Sequence, residues 1–334
     1  NSAQMLVTDA SFDIRATGSY FPRKTEDPLN FDFDIRKFDL RFFETLLPGF
    51  FSGTNGTTSG HLHLAGTPDA PLLTGEMLIP NLTLKVEYLQ TTYKLNNQTI
   101  TFNENHIDIG KLKLQDENNG VATARGEIRH DHLRDFRFNV AVTTDRFQVL
   151  NTTEKDNSLF YGAAEAAGIL QFLGPLNDLE IRASLTSMQG TDISIPINSG
   201  NSIGDRSFIR YVVRGNDSLQ RVAGLSDILP GLRLNFDLEV TPAAKIKIIF
   251  DQKAGDIISG TGNGNIRMEI DTKGDFNMYG TYTIDEGDYL FTLQNFFNKF
   301  FTIDEGGTIS WTGDPYEAQI AIDAIYSTKS SVYD

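Results

Sequence analysis

From Leu232 to Val240 the chain reads LRLNFDLEV, with Leu232, Leu234, Phe236, Leu238 and Val240 alternating strictly with Arg233, Asn235, Asp237 and Glu239. Successive side chains of a strand point to opposite faces, so this period predicts a strand with one apolar and one wet face. The same alternation recurs along the chain. Phe31, Phe33 and Ile35 form one set, and Leu82, Leu84 and Val86 another. Further sets are Phe136 to Val142, Leu179 to Leu185, and Ile193 to Ile197. The last two are Ile266, Met268 and Ile270, then Tyr289, Phe291 and Leu293. Asn55-Gly56, Asn119-Gly120, Glu286-Gly287 and Gly306-Gly307 punctuate them and read as hairpin turns. The spacing predicts an all-β chain of roughly twenty strands.

Helix is scarce in this reading. Three short segments could form one: Phe38 to Phe51, Ser158 to Ala167 with its YGAAEAA run, and Asp217 to Leu229 behind an Asp-Ser cap. None is long enough to roof such a sheet, so they read as edge covers or corner turns. A loose repeat of glycine, strand, glycine six positions on, then proline, starts at Gly60, Gly168 and Gly307. Repeated strand pairs that touch mainly their neighbours build elongated structures. A one-faced sheet can hide its apolar side in a sandwich, in a closed barrel, or by folding over something greasy.

Composition narrows the partners. With 29 basic and 44 acidic residues the net charge is -15, which argues against nucleic acid and against electrostatic docking on anionic lipid, though not against binding lipid through apolar contacts. The absence of cysteine removes disulfides, thiol nucleophiles and thiolate metal sites. No apolar run approaches the roughly 18 residues of a membrane-spanning helix, and Asn1 suggests an excised fragment. His61 and His63 share one polar strand face, His130 and His132 share a charged turn, and His106 stands in a turn of its own. These histidines read as solvated rather than metal-binding. GTGNGN from Gly260 lacks the Gly-Lys-Ser/Thr ending of a phosphate loop and leads into a strand, so it reads as a bulge or flexible turn. There is no Gly-x-Ser-x-Gly elbow. No catalytic residue, cofactor or metal is expected. Phe296, Phe297, Phe300 and Phe301 read as a core or hairpin-end aromatic cluster.

GHLHLAGTPDAPLLTGEM from Gly60, and above all the stretch from Leu234 to Tyr326, resemble the C-terminal region of the TamB family. The resemblance implies membership among AsmA-like, bridge-like lipid-transfer proteins. Their long antiparallel sheets curl into a U-shaped groove, a β-taco, with an apolar lining and a few short helices. It implies residues 1–334 as one continuous groove segment, with a possible sub-boundary near 216–231 and the most TamB-like region at 232–326. It also implies the periplasm of a Gram-negative bacterium, an inner-membrane anchor in the full-length protein, and a TamA/BamA-type barrel partner. The function expected is a non-enzymatic conduit for phospholipid acyl chains. Its expected lining is Leu232, Leu234, Phe236, Leu238, Val240, Ile266, Met268, Ile270, Tyr289, Phe291 and Leu293. One alternative is a scaffold that templates outer-membrane barrel strands by β-augmentation. Another is an adhesin or carbohydrate-binding β-solenoid with aromatic platforms on the wet face.

Overall fold

The computed structural model describes residues 2–24, 27–46, 49–157, 159–197, 231–251, 255–272, 275–293 and 297–327. Among the described residues twenty strands share one sheet. Among the described residues the only α-helix is α1, Phe42–Leu46, joined by single 3-10 turns at Leu176–Asp178 and Pro315–Glu317. The described chain divides into two compact units. The first holds residues 2–147, Ile169–Arg182 and 231–233, and the second Gln148–Gly168, 183–197 and the described part of 234–327.

The first unit is a meander. Its strands are β1 (Ser2–Thr8), β2 (Phe12–Tyr20), β3 (Leu29–Asp39), β4 (Phe51–Gly66), β5 (Pro71–Val86), β6 (Thr91–Asn103), β7 (His106–Gln115), β8 (Val121–Asp131) and the first part of β9 (Arg134–Thr152). Each pairs antiparallel with the next. The β8–β9 hairpin closes on His132 and Leu133, both at positive φ (50° and 62°), the geometry that matches the right-handed twist of the flanking strands. Hairpin β7–β8 turns at Asn119-Gly120, where Asn119 is left-handed and the Asp116 carboxylate accepts the Gly120 N–H at 2.7 Å. That turn stops short of its neighbours, and beyond it Tyr93 of β6 stacks on Phe147 of β9 with centroids 4.8 Å apart. Two strands separated by a full hairpin thus meet, so the sheet bends over at this point. Asp39, before α1, accepts the Arg41 backbone N–H at 2.9 Å, and the Arg41 guanidinium hydrogen-bonded to its carboxylate holds the Asp39 pKa down.

Past β9 come β10 (Tyr161–Pro175), which belongs to the first unit from Ile169 on, and β11 (Glu180–Ser187), which belongs to it as far as Arg182. β12 (Asp192–Pro196), β13 (Arg233–Val240) from Leu234 on, and β14 (Lys245–Asp251) belong to the second unit. β15 (Asp256–Asp271) and β16 (Phe276–Leu293) make the longest hairpin. One edge of β16 carries β17 (Phe297–Ile303) and then β18 (Thr308–Gly313). β19 (Gln319–Ala321) pairs with β18, and β20 (Ala324–Ile325) with β17.

Several expectations need correction. The sheet is mixed rather than wholly antiparallel, because β12 and β14 run parallel. The YGAAEAA run is strand β10 rather than helix. Tyr161, Gly162 and Ala163 pair with Ser194, Ile193 and Asp192, and tertiary pairing overrides the helical preference of alanine. The segment Phe38 to Phe51 keeps only the five residues of α1, and Asp217 to Leu229 lies outside the described residues. Asn55-Gly56 and Glu286-Gly287 fall inside β4 and β16. At Gly56 a Cβ would lie 2.5 Å from the Asn81 carbonyl oxygen, so glycine there serves a close strand approach, not a turn.

Candidate functional site

Register turns the separate alternations of the first unit into one surface. Residues directly opposite each other run Met5, Ala16, Phe33, Leu62, Gly75, Phe102, Ile107, Ile128, Phe138 across nine consecutive strands. Every member is apolar. The next residue along each strand gives Leu6, Arg15, Asp34, His61, Glu76, Thr101, Asp108, Glu127, Asn139, which is polar from β2 onward and faces the other way. Eight strand intervals of about 4.8 Å make the apolar row about 38 Å long. From Phe33 to Phe138 each of its side chains is only half-buried. An unbroken apolar row neither sealed into a dry core nor fully wetted is a surface that a long hydrocarbon can follow.

The second unit carries a shorter apolar row, Ile195, Ile248, Ile258, Tyr289, Phe301, in which Ile248 and Ile258 are buried. Tyr289 lies 6.1 Å from both Phe291 and Phe301, and Phe301 lies 5.5 Å from Tyr326. Burial first, with Asp256 adding to it, pushes the Tyr289 hydroxyl up to about 12, so it stays neutral against the apolar face. A second row, Ile266, Gly280, Trp311, continues on β15, β16 and β18, beside Met268 opposite Met278.

The expected lining therefore divides. Phe236, Leu238, Val240, Tyr289 and Phe291 are half-buried. Leu232, Leu234, Ile266, Met268 and Ile270 are buried, at 5–6% exposure, and belong to the covered part of the sheet. Leu293 ends β16, with its side chain outside what the structure describes. The row from Met5 to Phe138 escaped sequence reasoning, although its alternating sets at Phe31, Phe33 and Phe136, Phe138 were visible. Alternation gives faces, but only register shows that the faces join.

GTGNGN is the middle of strand β15 rather than a turn. Tyr282, paired with Gly264, lays its ring along this glycine stripe and donates its hydroxyl to the Gly260 carbonyl at 3.3 Å. Side chains there would collide with the neighbouring backbone: a Cβ on Gly262 would lie 2.0 Å from the Thr283 oxygen. The phenylalanine cluster is divided by strand period, Phe300 pairing with Leu290 on one face and Phe301 with Tyr289 on the other. Phe296 and the side chain of Phe297 lie outside the described residues.

His63 Nδ1 is 2.8 Å from Asp32 and His61 Nδ1 is 3.5 Å from Asp34, cross-strand pairs on the wet face. His106 begins β7, its Nδ1 2.8 Å from the Asn105 side-chain oxygen, and His132 bonds Asp131 at 2.6 Å. His130 differs, being 6% exposed. Its Nδ1 accepts the Leu133 N–H at 3.2 Å, and its Nε2 has no partner among the described residues. Burial, reinforced by His106 and His132 and opposed by Asp131, holds its pKa below the usual histidine value. A lowered folded-state pKa means that acid favours the unfolded or opened form, so this stabilisation is complete above the ordinary value of about 6.5 and is lost as pH falls below it. Amide exchange at Leu133 is therefore expected to accelerate below about pH 6 and to lose that acceleration in His130→Asn. A Leu133 amide whose intrinsic-rate-corrected exchange is flat with pH would contradict this.

A family model described as the TamB C-terminal domain matches residues 110–333. The chain belongs to the TamB family. No curated protein and no solved structure matches it. TamB proteins are periplasmic, act in outer-membrane assembly in Gram-negative bacteria, and work with TamA-type partners. The TamB match takes in β8 onward and so covers the end of the nine-strand row at Ile128 and Phe138, together with the whole second unit.

Proposed function

We propose that this chain is a segment of a periplasmic lipid conduit, in which the apolar face holds phospholipid acyl chains while headgroups stay in water. The observation that carries this reading is the apolar row across nine strands, half-buried from Phe33 to Phe138. Each methylene removed from water is worth about 0.8 kcal/mol, so a tail of about 16 carbons gains on the order of 12 kcal/mol gross. A bilayer offers the same tail nearly the same gain, so transfer between membrane and protein is close to balanced. That balance suits carriage rather than storage. No reacting group is needed, and the chain acts without catalysis. In the full-length protein, an inner-membrane anchor and a TamA/BamA-type barrel at the outer membrane would define the two ends of the path.

A second reading is a scaffold for outer-membrane barrel strands. It is favoured by β1, which among the described strands pairs only with β2 and exposes Met5 and Leu6 at 53% and 64%. Mass spectrometry of the purified chain is expected to find phospholipid in near-stoichiometric amount, falling several-fold in Phe236→Asp. A chain free of lipid, or a folded Phe236→Asp full-length protein that still delivers lipid normally, would favour the scaffold.

A further inference from the structure

Charges on the wet face of the first unit elsewhere meet opposite charges across strands. Asp13 faces Lys37, Arg15 faces Asp34, and Asp34 and Asp32 hold His61 and His63. On β7, β8 and β9 the rule fails. Lys111 stands directly opposite Arg125, and Arg129 directly opposite Arg137, with His106 on the other flank of Arg129. Lys113 is the diagonal neighbour of Arg125, since its own partner is Thr123. Directly opposed like charges destabilise a strand pair. Lys111, Lys113, Arg125, Arg129 and Arg137 are all exposed. Lys111, Lys113, Arg125 and Arg137 have no ion-pair partner among the described residues.

The nearby carboxylates do not neutralise this set. Glu127 is engaged by Arg129 at 2.6 Å, and Asp108 accepts the Gly110 N–H at 2.7 Å. With Asp131, two along β8 from Arg129, and Arg134 opposite it, six cations face three anions, a local excess of positive charge on a chain whose net charge is -15. Screening cuts exposed charges off beyond about 8 Å at physiological salt, so an approaching ligand meets the patch and not the total. The five side chains project from one sheet face in parallel, without a concavity or a buried polar donor, which suits an array of anions rather than a single ion.

We propose that this β7–β9 face docks on a membrane surface bearing anionic phospholipid headgroups. The choice of occupant rests on the conduit reading, which brings the chain to lipid, while the docking face is opposite the apolar row. Long Lys and Arg side chains on neighbouring strands present a flat lattice of charge to a flat lattice of phosphates. Each cation held near such a surface contributes about fivefold to binding.

The test is co-sedimentation of the chain with phosphatidylglycerol–phosphatidylcholine vesicles and with pure phosphatidylcholine vesicles. Binding is expected to need the anionic lipid and to vanish near 1 M salt, where screening reaches about 3 Å. Lys111→Glu with Arg125→Glu is expected to lower it more than about tenfold. Lys111→Gln with Arg125→Gln, which only relieves repulsion between the two strands, keeps the fold and lowers binding by a smaller factor. The lipid load of purified Lys111→Glu with Arg125→Glu, read by mass spectrometry, is expected to match the wild type, separating docking from carriage. Binding indifferent to anionic lipid or to both double variants overturns the proposal, as does binding of polyglutamate with none to anionic vesicles.

Discussion

Phe33→Asp in the full-length protein is expected to lower its lipid load at least about tenfold and to stop lipid delivery. Phe33 stands in the nine-strand row between Ala16 and Leu62, half-buried, with no charged residue opposite it. A carboxylate there must stay hydrated, and the water it holds displaces acyl contacts on both sides. Loss of two or three buried methylenes at about 0.8 kcal/mol each is already worth tenfold or more in occupancy. The cost to folding is about 1–3 kcal/mol, because only half of a phenylalanine's burial is lost. Asp34→Asn, one position along and on the wet face, is expected to leave the lipid load unchanged. The pair is read by lipid mass spectrometry on folded protein. Equal loads in both variants would remove the apolar row from the mechanism.

Gly75→Val is expected to be the most damaging single substitution for stability. Gly75 occupies the same row, between Leu62 and Phe102, at φ 131°, a region that side chains avoid. A Cβ would lie 2.1 Å from the His61 carbonyl oxygen and 2.9 Å from the Leu62 Cα. The contacts are with backbone, so no rotamer change relieves them. Strand separation plus backbone strain should cost about 3 kcal/mol or more, which for a unit of this size lowers Tm by about 6–12 °C. Gly306→Asn makes the contrast. Gly306 is also left-handed, at φ 93°, but a Cβ there meets nothing within 4 Å, and asparagine tolerates such turns. Thermal unfolding followed by circular dichroism should show a shift of no more than about 2–4 °C for that variant. Similar shifts for the two would contradict the crowding argument.

The all-β class and most strands were legible in the sequence because period 2 is a local property. The strand at Arg233–Val240 and the wet-face placement of His61 and His63 could be read without coordinates. What depended on partners could not. Alanines at 163, 164, 166 and 167 favour helix when alone, yet β10 is held as strand by its neighbours. The glycines of GTGNGN signal a loop until Tyr282 is seen lying across them. At one end of the second unit both faces are apolar, with Pro196, Ile249, Ile257, Leu290 and Phe300 backing the row of Ile195 and Tyr289. The alternation read at Ile193–Ile197 and at Tyr289, Phe291 and Leu293 gives one apolar face there, where register shows two. Phe236, Leu238, Val240, Tyr289 and Phe291 are half-buried while Leu232, Leu234, Ile266, Met268 and Ile270 are covered, because burial depends on what lies above a strand rather than on the strand itself.

The account rests on hydrocarbon touching one face of this sheet. The most direct measurement places a photoreactive amino acid at Phe33, Phe102 and Ile128 in turn, and at the outward Asp34, Thr101 and Glu127, in cells making the full-length protein. Phospholipid adducts found at the first three positions and not at the second three are the predicted result. Adducts equally frequent on both faces, or on neither, would contradict it.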